Sequence, residues 1–331
     1  MAALLSERNR EAEARAAELE ARLTEVQAEI GALRRRAEKD RLDFGVQISA
    51  LEARADQFRE ALLNLRTAWQ AVALARHPQR PKAQDFIAAL LDDFTELHGD
   101  RLFRDDPAIT AGLGWFEGRP VVAVGPHKGK DTRENIAHNF GMPYPEGYRK
   151  ALRVMKLAEK FGYPVISVVD TPAAYPGDAA EERGQAEAIA RNIEEMTRLR
   201  VPVLVVITGE GGSGGALAIA VGDAILMLEN AIYTVIPPEG CAAILWRDAS
   251  RAREGAAALR LTAADLTTLE IVDEIVPEPR GGAHLDPAAT TEAVRGALRR
   301  HLQVLSAFPV DELLRRRYAK YRRIGYHEER V

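Results

Sequence analysis

The chain has 331 residues, a formal net charge of -4, an apolar fraction of 47% and a charged fraction of 28%. This composition is ordinary for a globular protein and excludes a collagen-like or wholly disordered chain. The near-balanced charge removes the main electrostatic reason to expect nucleic-acid binding. The single cysteine, Cys241, excludes an internal disulfide and a CxxC zinc site within this chain.

The N-terminus runs directly into charged residues and lacks the apolar segment of a signal peptide. The longest apolar stretches, 201–207 and 216–221, are far shorter than the roughly 20 residues that span a bilayer. We therefore expect a soluble, cytoplasmic protein without membrane contact.

Residues 1–66 are predicted to form a helical arm. Apolar residues recur there in alternating steps of four and three, at Leu19, Leu23, Val26, Ile30 and Leu33, and again at Ile48, Leu51, Ala55, Phe58, Leu62 and Leu65. This spacing predicts a helical hairpin or two coiled-coil segments, interrupted at 39–45. Such an arm either covers its own domain or mediates oligomerisation. We assign 67–305 to the main domain and 306–331 to a C-terminal helix and tail.

Beyond the arm, short apolar runs alternate with helical patterns. Strands are predicted at 109–115, 120–125, 164–170, 201–208, 224–228, 231–235 and 271–276. Helices are predicted at 179–200 and 216–221, from Cys241 onward, and at 288–305 and 310–321. The order of strand, unusual loop and helix occurs at least twice, which indicates an α/β core of about 200 residues.

The loop 209–215, with the sequence GEGGSGG, leaves a predicted buried strand and enters a helix. Its glycines allow close backbone approach, and the helix start offers unpaired amide donors, so the loop is suited to binding an oxyanion. A nucleotide P-loop is nearly excluded because Ala216 and Leu217 stand where Lys and Ser or Thr are needed. Close packing of the helix on the sheet is a structural explanation compatible with the oxyanion hole.

Ser213 gives the same loop a second catalytic interpretation. It lies in a G-x-S-x-G sequence at a strand-to-helix turn, as in serine hydrolases. The remaining members of a triad would come from Asp265 or Asp273 and from His284 or His301.

Two further loops carry polar side chains. Asp170 ends a predicted strand before the proline-containing loop 170–177, where a hydrogen bond to local backbone is favoured over a role as catalytic base. The basic segments 127–133 and 147–150 suit phosphates or an acidic partner, although an ordinary charged surface explains them equally. The seven histidines are scattered and show no metal-binding spacing.

The chain closely resembles the alpha subunit of the bacterial-type acetyl-CoA carboxylase carboxyltransferase. The matching stretches are 74–81 (LARHPQRP), 127–155 (HKGKDTRENIAHNFGMPYPEGYRKALRVM), 170–177 (DTPAAYPG), 180–192 (AEERGQAEAIARN), 209–223 (GEGGSGGALAIAVGD), 238–246 (PEGCAAILW) and 277–284 (PEPRGGAH). The resemblance implies a crotonase-type (ClpP/crotonase) superhelix of β-β-α units in the main domain.

The resemblance also implies a reaction and a set of partners. The chain would transfer CO2 from carboxybiotin on the biotin carboxyl carrier protein to acetyl-CoA, forming malonyl-CoA for fatty acid synthesis. A beta subunit with a zinc ribbon would complete an α2β2 enzyme that works with biotin carboxylase. Biotin would not be attached to this chain, and the chain would hold no metal.

The family's site residues can be carried onto matching positions. Gly214 and Gly215 would form the oxyanion hole for the biotin carbonyl, while the beta subunit would supply the hole for the thioester enolate. Further substrate contacts are expected at Gly211, Gly212, Ala174, Tyr175, Gly177, Lys128, Lys130, Glu239 and Gly240. Ala173 replaces a usual glycine, so strain is expected if this position needs a positive φ. A serine hydrolase using Ser213 and a non-catalytic scaffold built on the N-terminal helices remain the alternatives.

Overall fold

The computed structural model describes residues 2–40, 44–64 and 67–325. The N-terminal arm contains the helices α1 (Ala2–Asp40) and α2 (Gly45–Asn64), which contact each other. Arg34 of α1 forms a 2.7 Å ion pair with Glu52 of α2, and Val26 and Ala55 are buried. The predicted helices are therefore present, while Leu65 lies outside the described residues. The coiled-coil character of the arm and its role in oligomerisation remain predictions.

The described strands form one eight-stranded sheet. Their bounds are β1 (Asp92–Glu96), β2 (Ile109–Phe116), β3 (Arg119–Pro126), β4 (Val165–Thr171), β5 (Val203–Gly212), β6 (Ala224–Leu228), β7 (Ile232–Thr234) and β8 (Glu274–Val276). The order is β1-β2-β3-β4-β5-β6-β8, antiparallel from β1 to β3 and parallel from β3 to β8. The end of β5 continues past β6 and pairs with β7. The glycine loop thus begins within a strand.

Helices cover this sheet. Those after the arm are α3 (Ala68–Ala75), α4 (Ala83–Leu90), α5 (Thr132–Ala137), α6 (Pro145–Phe161), α7 (Asp178–Glu181), α8 (Gln185–Arg198), α9 (Ser213–Leu217), α10 (Pro238–Trp246), α11 (Ala252–Leu259), α12 (Ala263–Thr268), α13 (Pro287–Ser306) and α14 (Val310–Arg323). Strands β4 and β5 are buried along their whole length, as their β-branched, apolar sequences predict for a central parallel sheet. Helices α6 and α8 contact each other and bury Met155 and Met196.

Three local predictions are wrong. The helix predicted at 179–200 is interrupted at Gly184, whose φ of 83° is left-handed. The helix predicted at 216–221 begins at Ser213 and ends at Leu217, because the glycine turn itself enters the helix. The basic segment 147–150, interpreted as a loop, lies in α6, and both Tyr148 and Lys150 are buried there.

The C-terminal helix α14 is tied to the core by a buried arginine. The guanidinium of Arg317 lies 2.6 Å from Oδ2 of Asp223 and donates hydrogen bonds to the carbonyls of Met196, Leu199 and Val201. The arginine therefore links α14 to the end of α8 and to the segments flanking β5. The domain limits drawn from the sequence remain predictions.

Candidate functional site

The site is built where two neighbouring parallel strands end. Strand β4 leads into the loop 172–177 and β5 leads into α9, so the two connections lie at the same edge of the sheet. A Cβ atom on Gly212 would overlap the carbonyl of Pro172, and a Cβ on Gly215 would overlap the backbone of Ala173 and Ala174. Glycine is therefore required at both positions for the backbones to approach this closely.

The turn from β5 into α9 places unpaired amides at its tip. Ser213 has a φ of 55°, a left-handed conformation that is uncommon for a residue with a Cβ. No side chain caps α9, and the first amides of a helix have no partner within the helix. The hydroxyl of Tyr148 in α6 donates a 3.2 Å hydrogen bond to the carbonyl of Gly215 and holds this turn from the core side.

A cavity of about 460 Å³ adjoins the turn. Ser213 and Gly214 contribute to its wall, which is otherwise largely apolar and includes Leu217, Tyr233 and Val235. Such a wall excludes water from amide donors at its edge, which strengthens their interaction with a developing negative charge.

A charge network with a largely buried centre lies at the ends of β4 and β5, next to the turn. Nζ of Lys128 is 2.7 Å from Oδ1 of Asp170 and 3.0 Å from Oε2 of Glu210. Arg76 extends the network, because its guanidinium lies 2.6 Å from Oε1 of Glu210 and 2.7 Å from Oε1 of Glu239. The network therefore joins the segment before α4, the ends of β3, β4 and β5, and the start of α10.

The charges of this network stabilise one another. Burial alone would lower the pKa of Lys128, but the adjacent Asp170 and Glu210 outweigh burial and raise it. Burial would likewise raise the pKa of Glu210, and the charges of Lys128 and Arg76 lower it instead. Both groups are therefore held in their charged forms.

The structure separates the two lysines that were expected to contact substrate. The side chain of Lys128 is 12% exposed and its ammonium contacts carboxylates of this chain. Lys130 is 69% exposed and pairs with Asp85 at 2.7 Å. Lys128 thus bridges the ends of β4 and β5 through Asp170 and Glu210. Of the two lysines, only Lys130 projects from the surface.

The other expected contact residues fall into two groups. Tyr175 belongs to the loop after β4, where the centre of its ring lies 4.3 Å from that of Tyr144. Gly177 directly precedes α7, and a Cβ atom on it would overlap the ring of Tyr175. Glu239 and Gly240 lie in the first turn of α10, where Glu239 accepts hydrogen bonds from Arg76. Substrate contacts at these positions remain a proposal.

The strain expected at Ala173 is absent. Ala173 is not among the described residues with a positive φ. Its amide donates a 3.3 Å hydrogen bond to the hydroxyl of Thr171, which in turn donates to the carbonyl of Ala173 at 2.7 Å. Alanine therefore fits this loop without a left-handed backbone.

A serine hydrolase would need a histidine and an acid beside Ser213, and the candidates for both are engaged elsewhere. His301 hydrogen-bonds Glu274, and the ring of His284 stacks on His77. The candidate acids are also occupied, since Asp265 accepts a 2.7 Å hydrogen bond from the hydroxyl of Thr262, the N-cap of α12, and Asp273 pairs with Lys320. Among the described residues, none of the histidines hydrogen-bonds to Ser213.

We expect Ser213→Ala to retain carboxyltransferase activity within about threefold. The substitution keeps the backbone amides and removes only a hydroxyl to which no described histidine hydrogen-bonds. Steady-state assay of the assembled enzyme checks this. A hydrolase nucleophile would instead lose about 10⁶ in kcat, the cost of removing a triad serine.

Sequence reasoning missed the roles of Arg76, Glu210 and Tyr148. All three lie in the stretches on which the family resemblance rests, so the resemblance could have identified them as candidate site residues. Their contacts join positions 67 to 163 residues apart, as in the bonds from Tyr148 to Gly215 and from Arg76 to Glu239, so spacing could not reveal them.

Solved structures of similar fold are acyl-CoA carboxyltransferases and related enzymes. Transcarboxylase 12S, crystallised with methylmalonyl-coenzyme A, matches with a TM-score of 0.54 and 20% identity over 68% of this chain. This chain spans 42% of that chain. A Pseudomonas malonate decarboxylase hetero-tetramer in complex with coenzyme A matches with a TM-score of 0.55 and 18% identity, covering 66% of this chain and 90% of that chain. These likenesses confirm the crotonase-type fold.

The fold and the family match together define the class as a crotonase-fold carboxyltransferase. The family described as acetyl co-enzyme A carboxylase carboxyltransferase-like matches residues 16–325. The alpha subunit of acetyl-coenzyme A carboxylase carboxyl transferase from Carboxydothermus hydrogenoformans is 53% identical over 308 residues, covering 93% of this chain and 95% of the relative. The same subunit from Geobacter sulfurreducens is 56% identical over 272 residues, covering 82% of this chain and 85% of the relative. The chain belongs to the family of acetyl-CoA carboxylase carboxyltransferase alpha subunits.

Proposed function

We propose that this chain forms the biotin-facing half of a carboxyltransferase that converts acetyl-CoA to malonyl-CoA. The observation that carries the proposal is the uncapped start of α9, where Gly214 borders a largely apolar cavity and the buried Gly215 follows it in the chain. Biotin on its carrier protein supplies the CO2 when it is bound. The serine hydrolase and scaffold alternatives gain no support from the described residues.

In this proposal the chain acts through its backbone. The amides of Gly214 and Gly215 donate hydrogen bonds to an oxygen on which negative charge develops, and the apolar wall keeps water away from it. The loop 172–177 holds the turn from one side, and Tyr148 holds it from the other. No side chain of this chain has to accept a proton.

The proposal includes a second subunit. Apolar side chains are exposed on α9, after β7 and on α10, at Leu217, Val235, Ile244 and Leu245. Leu217 and Val235 border the same cavity, and exposed apolar side chains of this kind support a protein interface, which we assign to a zinc-ribbon beta subunit in an α2β2 assembly. Among the described residues, no group of His, Cys, Asp and Glu is arranged to hold a metal ion. The carrier protein and biotin carboxylase would complete the enzyme.

We place this enzyme in the cytoplasm, where its acetyl-CoA substrate is used for fatty acid synthesis. None of the described helices combines the length and apolarity that crossing a bilayer requires.

Co-expression with a candidate zinc-ribbon beta subunit tests the proposed function. The purified complex should form malonyl-CoA from acetyl-CoA and the carboxylated carrier protein, whereas either subunit alone should not. The uncarboxylated carrier serves as the control for CO2 transfer. A stable complex that forms no malonyl-CoA with the carboxylated carrier would contradict the proposal.

A further inference from the structure

A second cavity, of about 720 Å³, shares no lining residue with the cavity beside the glycine turn. The start of α4, the first turns of α13 and the segment 78–81 enclose it. Four basic side chains line it, against two carboxylates: Arg80, Lys82, Lys130 and Arg295, with Asp85 and Glu292. Its wall therefore carries an excess of positive charge.

Most of these charges already have partners. Arg80 is buried and pairs with Glu278 at 2.6 Å, and Lys130 pairs with Asp85. Arg295 donates a 3.3 Å hydrogen bond to the carbonyl of Leu90 and pairs with Glu292 at 3.3 Å. These contacts hold the wall in place.

Lys82 differs from the other cations of the wall. Its side chain is partly buried, yet among the described residues its ammonium forms neither an ion pair nor a hydrogen bond. Burial lowers its pKa from the ordinary value, and the charges of Lys128 and Arg80 act in the same direction, while Asp170 and Glu210 oppose them. Because burial outweighs these two distant carboxylates, an anion placed directly against the ammonium from the cavity would stabilise its charged form.

We propose that this cavity binds the phosphate groups of a small molecule of about nucleotide size, with Lys82 as the primary contact. The ammonium of Lys82 is a point charge suited to phosphate oxygens, and the exposed Lys130 stands at the same wall. Once Glu278, which pairs with Arg80 from outside the lining, is counted, Lys82 is the cation of this wall that an anion in the cavity would pair with. The volume lies within the range of about 300–1,000 Å³ that is typical of small-molecule sites.

Calorimetric titration of the full chain with inorganic pyrophosphate tests the proposal. We expect saturable binding that weakens at high salt, because the interaction is between charges. Lys82→Gln should weaken binding by about tenfold or more, the cost of one charge-assisted hydrogen bond. The control Lys160→Gln, an exposed lysine at the end of α6, should bind like the unaltered chain.

Two outcomes would overturn the proposal. One is an unaltered chain that shows no saturable binding, and the other is Lys82→Gln with unchanged affinity. Thermal unfolding without ligand shows that the variant is folded, and Lys130→Gln provides a second cavity variant with an expected smaller loss. Competition by coenzyme A or by ADP then distinguishes a substrate's phosphates from those of a separate nucleotide. Because the titration needs neither beta subunit nor carrier, its result is independent of the proposed carboxyl transfer.

Discussion

Replacing Lys128 by methionine is expected to lower the free energy of unfolding by about 3–5 kcal/mol, the cost of breaking a buried ion pair from one side. The change removes the ammonium that lies 2.7 Å from Asp170 and 3.0 Å from Glu210. Asp170 retains the backbone amide of Glu210 as a hydrogen-bond donor, and Glu210 retains Arg76. Both carboxylates nevertheless lose charge compensation in a site from which water is largely excluded. Denaturant unfolding of the chain measures the effect.

Lys130→Met is the matched control, since Lys130 lies two residues further along the same segment. Its side chain is 69% exposed and pairs with Asp85 alone. An exposed pair of this kind contributes about 0–1 kcal/mol, so the loss of stability should be small. Equal stability losses in the two variants would contradict the buried network.

The double variant Lys128→Met with Glu210→Gln tests the pairing itself. Glutamine removes one of the two charges that the missing ammonium leaves uncompensated. We therefore expect the combined loss of stability to be less than the sum of the two single losses, with a coupling of about 0.5–3 kcal/mol. Additive losses would show that the two side chains act independently.

The sequence was sufficient to predict the parallel core and the two loops that meet at one edge of it. Strand β6 was predicted with the observed bounds, and β4 within a residue, because buried parallel strands are nearly continuous apolar runs. The two special loops follow β4 and β5, and parallel neighbours end at the same edge. Strand β1 was missed because its sequence, DDFTE, is mostly polar and exposed at the edge of the sheet.

The chemistry beneath the site could not be predicted in the same way. Lys128 and Lys130 stand in similar sequence surroundings, and only the fold places the first against β4 and β5 and the second against α4. A charged residue's role depends on partners brought together from distant parts of the chain. The pairs of Arg76 with Glu210 and Glu239 join positions 134 and 163 residues apart.

The glycines of the turn have two different functions that the sequence does not separate. A Cβ atom on Gly215 would overlap the backbone of the loop after β4, so this glycine is needed for packing. A Cβ on Gly214 would meet only the side chain of Ile189, at 3.6 Å, which is an ordinary contact. The packing requirement and the proposed amide donors are therefore compatible, and substitutions at the two positions should differ.

Gly215→Val is expected to reduce kcat by about 10²–10³, the scale of one lost oxyanion donor. The new side chain would force the backbone of Ala173 and Ala174 away from the turn and displace the amide of residue 215. Gly215→Ala should show the same direction with less disturbance, and Gly214→Ala is the matched control with activity close to that of the unaltered enzyme. Malonyl-CoA formation by the assembled enzyme is measured alongside thermal unfolding and complex size, which separate lost chemistry from lost folding. A folded, assembled and fully active Gly215→Val enzyme would show that the turn does not hold the oxyanion.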